Sequence, residues 1–146
     1  MQPSQGSAPD PDAITRYIID TWPETIIAEA MNARFFSLDE RHWPNFATIV
    51  TTDEHDQASN LSRPGVFRLN VGTLSRETFA RLVGHVADPD YTELDRVMPH
   101  PVYARQRWVS ILNPSHRSFE EICKPLLAET HDCLAAARAG AQAEGE

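Results

Sequence analysis

Hydrophobic positions change period several times along the chain, and each change marks an element. Ile14, Tyr17, Ile18 and Trp22 recur at helical spacing behind Asp10-Pro11. An aspartate at the N-cap and a proline at the first helical position, where its missing N–H costs nothing, start that helix, and Pro23 ends it. Residues 25–30 and 34–38 read as two short strands, with Met31-Asn32-Ala33 closing a hairpin because asparagine tolerates positive φ. Residues 46–51, rich in β-branched side chains, form a third strand that runs into the acidic turn Thr52-Asp53-Glu54-His55-Asp56, expected to be exposed. After a turn at 61–65, strict alternation over 66–71 places Phe67, Leu69 and Val71 on one face and Arg68 and Asn70 on the other. This fourth strand is expected to be half buried and half wet.

The second half alternates in the same way. Ser75 caps a short helix that turns Phe79, Leu82 and Val83 inward and stops at Gly84. An acidic stretch over 88–98 leads to Pro99-His100-Pro101, where two prolines restrict the backbone on both sides of the histidine and predict a stiff corner. Trp108, Val109, Ile111 and Leu112 form a fifth strand, ended by Asn113-Pro114-Ser115. Ser118-Phe119-Glu120-Glu121 then opens a helix with Phe119, Ile122, Leu126, Leu127, Thr130 and Leu134 on one face, which Pro125 must kink or split. Residues 1–9 have the composition of a flexible tail and 138–146 are expected to fray, leaving a single domain over 10–137. The predicted class is α+β: a mainly antiparallel sheet of about five strands with helices packed on one face, because most strand connections are too short for parallel crossovers.

Composition adds bounds. A chain of 146 residues, 41% hydrophobic and 23% charged, suits one globular core. Apolar runs fall far short of the roughly 20 residues of a membrane span, and no basic flank precedes an apolar segment at the N-terminus, so no membrane partner and a cytoplasmic address are expected. With 21 acids against 13 bases the net charge is −8, a field that repels nucleic acid unless a basic face is segregated from it. Cys123 and Cys133 sit ten positions apart in a helical pattern, about 15 Å along the axis, too far to bridge; both are expected to be reduced core thiols.

One segment departs from the acidic background. No Asp or Glu occurs between Asp95 and Glu120, so Arg96, Arg105, Arg107 and Arg117 leave it locally basic. If Trp108 and Ser110 share the face that carries Arg68 and Asn70, adjacent strands assemble one polar surface away from the helices. Arg68, Asn70, Tyr103, Arg105, Arg107 and Trp108, with His100, would then converge into a shallow patch for a small anionic, partly aromatic ligand: guanidinium forks hold the anion and aromatic rings stack. The plainer alternative pairs Arg68 and Arg107 with Asp or Glu and leaves His100 and Tyr103 to brace the corner by hydrogen bonds.

Three functional readings follow. The first is a non-enzymatic domain binding a small anionic ligand or a partner. The second is a small cofactor-independent enzyme with His100 as acid or base, since histidine is poised near neutral pH, and with Asp95 and Tyr103 as its partners. The third is nucleic-acid binding through the four arginines, which the net charge disfavours. No nucleophile elbow, dinucleotide loop or P-loop can be drawn, so no cofactor is expected. Asp53, Glu54, His55 and Asp56, with His42 or His116, are metal-ligand types, but without the spacing of a zinc or calcium motif they read as a solvated turn, and no metal site is expected. An open sheet edge leaves a homodimer open.

Residues 46–51, Arg63-Pro64-Gly65-Val66-Phe67-Arg68-Leu69-Asn70, residues 90–103 and Trp108-Val109-Ser110-Ile111-Leu112-Asn113-Pro114 resemble a family catalogued only as a domain of unknown function, number 6194, over roughly residues 12 to 137. The motifs are specific to that family but not to a chemistry. More distantly, a strand beginning with Trp after a short basic segment, followed by a C-terminal helix, is similar to the MmcQ/YjbR group, whose fold resembles the frataxin-like CyaY arrangement. That resemblance would imply DNA binding, and the acidic segment 88–95 departs from it.

Overall fold

A computed structural model of the chain describes residues 7–144. Helix α1 (Pro11–Thr21) begins where the capping logic puts it, with the Asp10 carboxylate accepting the Ala13 N–H at 2.8 Å, and it buries Ile14 and Ile18. Strands β1 (Ile26–Ala30) and β2 (Ala33–Ser37) pair from Ile26 opposite Ser37 to Ala30 opposite Ala33. The turn between them is therefore the two residues Met31 and Asn32, at φ 51° and 59°. Two successive positive φ values match the twist of the flanking strands. β3 (Asn45–Val50), β4 (Arg68–Val71), β5 (Met98–Pro99) and β6 (Val109–Leu112) complete a six-stranded antiparallel sheet in the order β1-β2-β3-β4-β6-β5. The fold is α+β, as expected. The extra strand is β5, two residues long and too short to leave a periodicity.

Register sorts the side chains onto two faces. Phe36, Ala47, Val71 and Val109 stand in one row across β2, β3, β4 and β6, with Ile49, Leu69 and Ile111 in the next. Both rows face α1, α2 (Arg76–Val83) and the C-terminal helix, and with Ile14, Ile18, Val83, Phe119, Cys123 and Leu127 they form the main core. Edge-to-face contacts of Tyr17 with Phe119 at 5.5 Å and Trp22 with Phe46 at 6.0 Å fix the helices to each other and to the sheet.

The C-terminal helix differs from expectation at its start and its end. It starts at His116, because Ser115 rather than Ser118 is the N-cap and accepts the Ser118 N–H at 3.0 Å. Just before Pro125 the helix type changes, as expected of that proline, although the helical run continues past it. After one turn, α3 (His116–Ser118), the chain widens into a π-helical turn over Phe119–Cys123, where the Lys124 N–H reaches back five residues to Phe119 O, before α4 (Lys124–Glu144). Proline lacks the N–H that would bond four residues back and its ring crowds that carbonyl, and the wider turn relieves both. Residues 138–144, expected to fray, are helical, and the Arg138 guanidinium donates to Asp39 at 2.8 Å. Cys133 is exposed rather than in the core; Cys123 is buried, and burial pushes its thiol up to about 12. No described helix is long and apolar enough to cross a membrane.

Strand β4 also departs from the half-wet reading, since all four of its residues are buried. The segment between β3 and β4 folds over the second face of the sheet. There Leu61 joins Ala33, Val50, Met98 and Leu112 in a smaller apolar cluster.

Candidate functional site

Beside that smaller cluster the second face is polar and hollow. The row Phe35, Thr48, Asn70, Ser110 and Met98 crosses five strands in register. Its middle members are linked: Ser110 Oγ and Arg68 Nε donate to Asn70 Oδ1 at 2.7 and 3.0 Å, and Asn70 Nδ2 donates to Thr48 Oγ1 at 2.9 Å. Two donors on one oxygen settle which way the amide points. Arg68, only 2% exposed, donates through Nη1 to Asp56 Oδ1 and Ser59 Oγ, both at 3.0 Å, and through Nη2 to Asp56 Oδ2 at 2.6 Å. This is a two-pronged ion pair inside the protein. The Arg68 hydrogen bonds hold the Asp56 carboxyl below its usual range against the opposing effect of burial.

Above this floor lies a hollow of about 380 Å³, within the range of small-molecule sites of roughly 300–1,000 Å³. Phe35 and His55, in edge contact at 5.9 Å, form one wall. His100, Tyr103 and Trp108 form the other, with the His100 ring 5.0 Å from Tyr103 and 6.4 Å from Trp108. The rim is apolar and open: Trp43 is 70%, Val102 54% and Tyr103 53% exposed. Asn45, also in the lining, has a buried side-chain oxygen without a partner among the described residues.

His100 is held by its own turn. Its Nδ1 accepts the backbone N–H groups of Val102 at 2.9 Å and Tyr103 at 3.0 Å, so the proton of the neutral ring sits on Nε2. Burial, reinforced by the nearby Arg68 charge, pulls its pKa down to about 4. At neutral pH it is a fixed hydrogen-bond donor. Trp108 is seated by Gly72: a methyl group there would lie 2.3 Å from the indole carbons, so only glycine lets the backbone pass beneath the ring.

The hollow thus brings together Arg68, Asn70, His100, Tyr103 and Trp108, and it leaves out Arg105 and Arg107. Strand alternation does not extend back to those two, because 104–106 is a 3₁₀ turn and Arg107 is left-handed at φ 61°. Arg105 is exposed on that turn. Arg107 Nε donates instead to Leu74 O at 2.7 Å. Asp95 is not a partner of His100; its carboxylate accepts the Ser115 N–H at 2.9 Å. Arg96 lies beside Glu93 at 3.4 Å and Arg117 beside Glu121 at 2.6 Å, so the basic segment does not present four unengaged guanidiniums.

Sequence reasoning missed Phe35, Trp43, Thr48, Asp56 and Ser59. Asp56 had a signal: a buried arginine on a strand needs a carboxylate, and the nearest acids preceding it in the chain lie in the turn read as solvated. Glu54 and His55 of that turn are exposed as expected, but Asp53 and Asp56 are half-buried, Asp53 accepting the Leu61 N–H. Among the described residues no three His, Cys, Asp or Glu gather as a metal site would need.

These features define a class first: an α+β domain with one helix-covered sheet face and a hollow on the other. The chain belongs to the family of unknown function DUF6194, which it matches over residues 9–144. No curated protein and no solved structure matches it.

Proposed function

We propose that this domain binds a small molecule in the sheet hollow and has no catalytic activity of its own. The observation that carries this reading is the contrast between floor and rim. The floor is a polar network whose members are already hydrogen-bonded to one another, whereas the rim leaves Trp43, Val102 and Tyr103 open to water. Three of the six large exposed hydrophobics among the described residues surround this one hollow, and an apolar rim around a polar floor is what a ligand would cover.

His100 fits recognition better than acid–base chemistry. Its Nδ1 lone pair is committed to two backbone N–H groups, and burial beside Arg68 lowers its pKa to about 4, so the ring is neutral at pH 7 and its basic nitrogen is already engaged. An anionic ligand was expected from Arg68, Arg105 and Arg107 acting together. Those three are separated, and the charge of Arg68 is met by Asp56. The distant kinship with the MmcQ/YjbR group, a cytoplasmic address and a homodimer through the outer edge of β1 remain parts of the proposal. They rest on the sheet and helix arrangement, the unbridged cysteines and the open strand edge.

Native mass spectrometry of the purified chain, followed by denaturing release, tests the binding reading. A retained or added small molecule is expected, and Trp108→Ala is expected to lose it. Retention of the same molecule by Trp108→Ala would place the binding elsewhere.

A further inference from the structure

The hydrogen-bond directions around the hollow specify what it can recognise. Thr48 Oγ1 accepts from Asn70 Nδ2, so its own hydroxyl proton is free to donate to a ligand in the hollow it lines. His100 accepts twice on Nδ1, so its Nε2 carries the hydrogen, and the ring lines the hollow. Asn70 Oδ1, the acceptor at the centre of the floor, is filled by Arg68 and Ser110. Thr48 and His100 therefore offer donors to a ligand, while Asn45 Oδ1, buried and without a partner among the described residues, offers one acceptor in the same lining.

An anion would satisfy donors too, but the charges argue against one. Among the residues lining the hollow Arg68 is the sole guanidinium, and both of its terminal nitrogens already meet the Asp56 carboxylate, which lines the same cavity. A ligand carboxylate or phosphate would gain little from a neutralised cation and would face Asp56 across a space partly shielded from water. The walls add the shape. Phe35 and His55, together with His100, Tyr103 and Trp108, give the lining aromatic faces on which a flat ring can stack.

We propose that the hollow selects a flat, uncharged ring bearing a carbonyl or ring-nitrogen acceptor, read by Thr48 and His100, and that Asp56 turns anions away. This rests on the reading of the hollow as a binding site.

The matched probes benzamide and benzoate share shape and differ in charge, and they can be titrated into the full chain by NMR with His100 and the Trp108 indole N–H as reporters. Benzamide is expected to bind at least about tenfold tighter than benzoate, and Thr48→Val to weaken benzamide by about five- to tenfold, the worth of one hydrogen bond. Asp56→Asn is expected to reverse the preference by uncovering the Arg68 charge; the wild-type comparison decides the matter if that variant does not fold. Benzoate binding as tightly as benzamide in the wild type, with shifts at the same reporters, overturns the ligand class and leaves the binding site standing. No shift at either reporter with either probe overturns both.

Discussion

Arg68 carries its charge at 2% exposure on β4, where it survives because Asp56 and Ser59 meet one terminal nitrogen, Asp56 the other and Asn70 the Nε. Removing one partner strands the other. Arg68→Met should destabilise the fold by about 3–5 kcal/mol, chiefly by leaving Asp56 unpaired, while Arg68→Met with Asp56→Leu should regain most of that loss. Urea unfolding of the three proteins checks this, and a double variant no more stable than the single one would contradict it. His100 adds a pH dependence. The unfolded chain titrates this residue near 6.5 and the folded chain near 4, so between those values the unfolded state holds the proton and the folded state does not. Its stabilising contribution, up to about 3 kcal/mol, is complete above pH 6.5 and is lost as the pH falls toward 4. His100→Asn keeps an acceptor for the Val102 and Tyr103 N–H groups without titrating there, and should flatten the wild-type stability slope across that window. An unchanged slope would mean the ring is more accessible than its 5% exposure indicates.

At the level of elements, the Trp108 wall depends on a neighbouring strand end. Gly72→Ala should push the indole out of its seat, cost about 1–3 kcal/mol in overpacking and alter the near-ultraviolet circular dichroism. Retention of the wild-type spectrum and stability would show that the backbone shifts instead. The contact also illustrates what sequence can convey. Alternation in 66–71 correctly put Arg68 and Asn70 opposite Phe67 and Leu69, and it aligned Trp108 with Ser110, because the face a side chain takes follows from the two-residue period of the pleat. Capping chemistry placed α1 and α2 for the same local reason. Non-local contacts were not legible. Glu129 of α4 accepts the Ser75 N–H at 2.9 Å, a cap supplied from 54 positions away. Asp56 reaches Arg68 through a loop whose path no periodicity records. β5 has two residues and no pattern to read, and Arg105 and Arg107 fell outside the hollow because a 3₁₀ turn and one left-handed residue interrupt the alternation.

The whole molecule is unequal on its two sides. The helix side holds a large core tied to α1, α2 and the C-terminal helix, whereas the hollow side is closed by the segment between β3 and β4, anchored by Leu61 in a small cluster. That segment carries Asp56 and Ser59, so the buried charge on β4 and the shape of the hollow depend on its staying down. Regions with few buried apolar contacts open at lower free energy than the global fold. Hydrogen exchange of the wild type should therefore show the Leu61 N–H, bonded to Asp53, and the Val66 N–H, bonded to Arg63 O, exchanging through a local opening, with β3 and β4 exchanging only on global unfolding. Leu61→Ala, expected to cost about 2–5 kcal/mol by its cavity, should lower the local opening energy more than the global one. Because opening removes Asp56 from Arg68, the same variant should raise affinity for benzoate relative to benzamide. Equal losses at both sets of amides would show that the segment and the sheet unfold as one unit, and the hollow would then have no independent hinge.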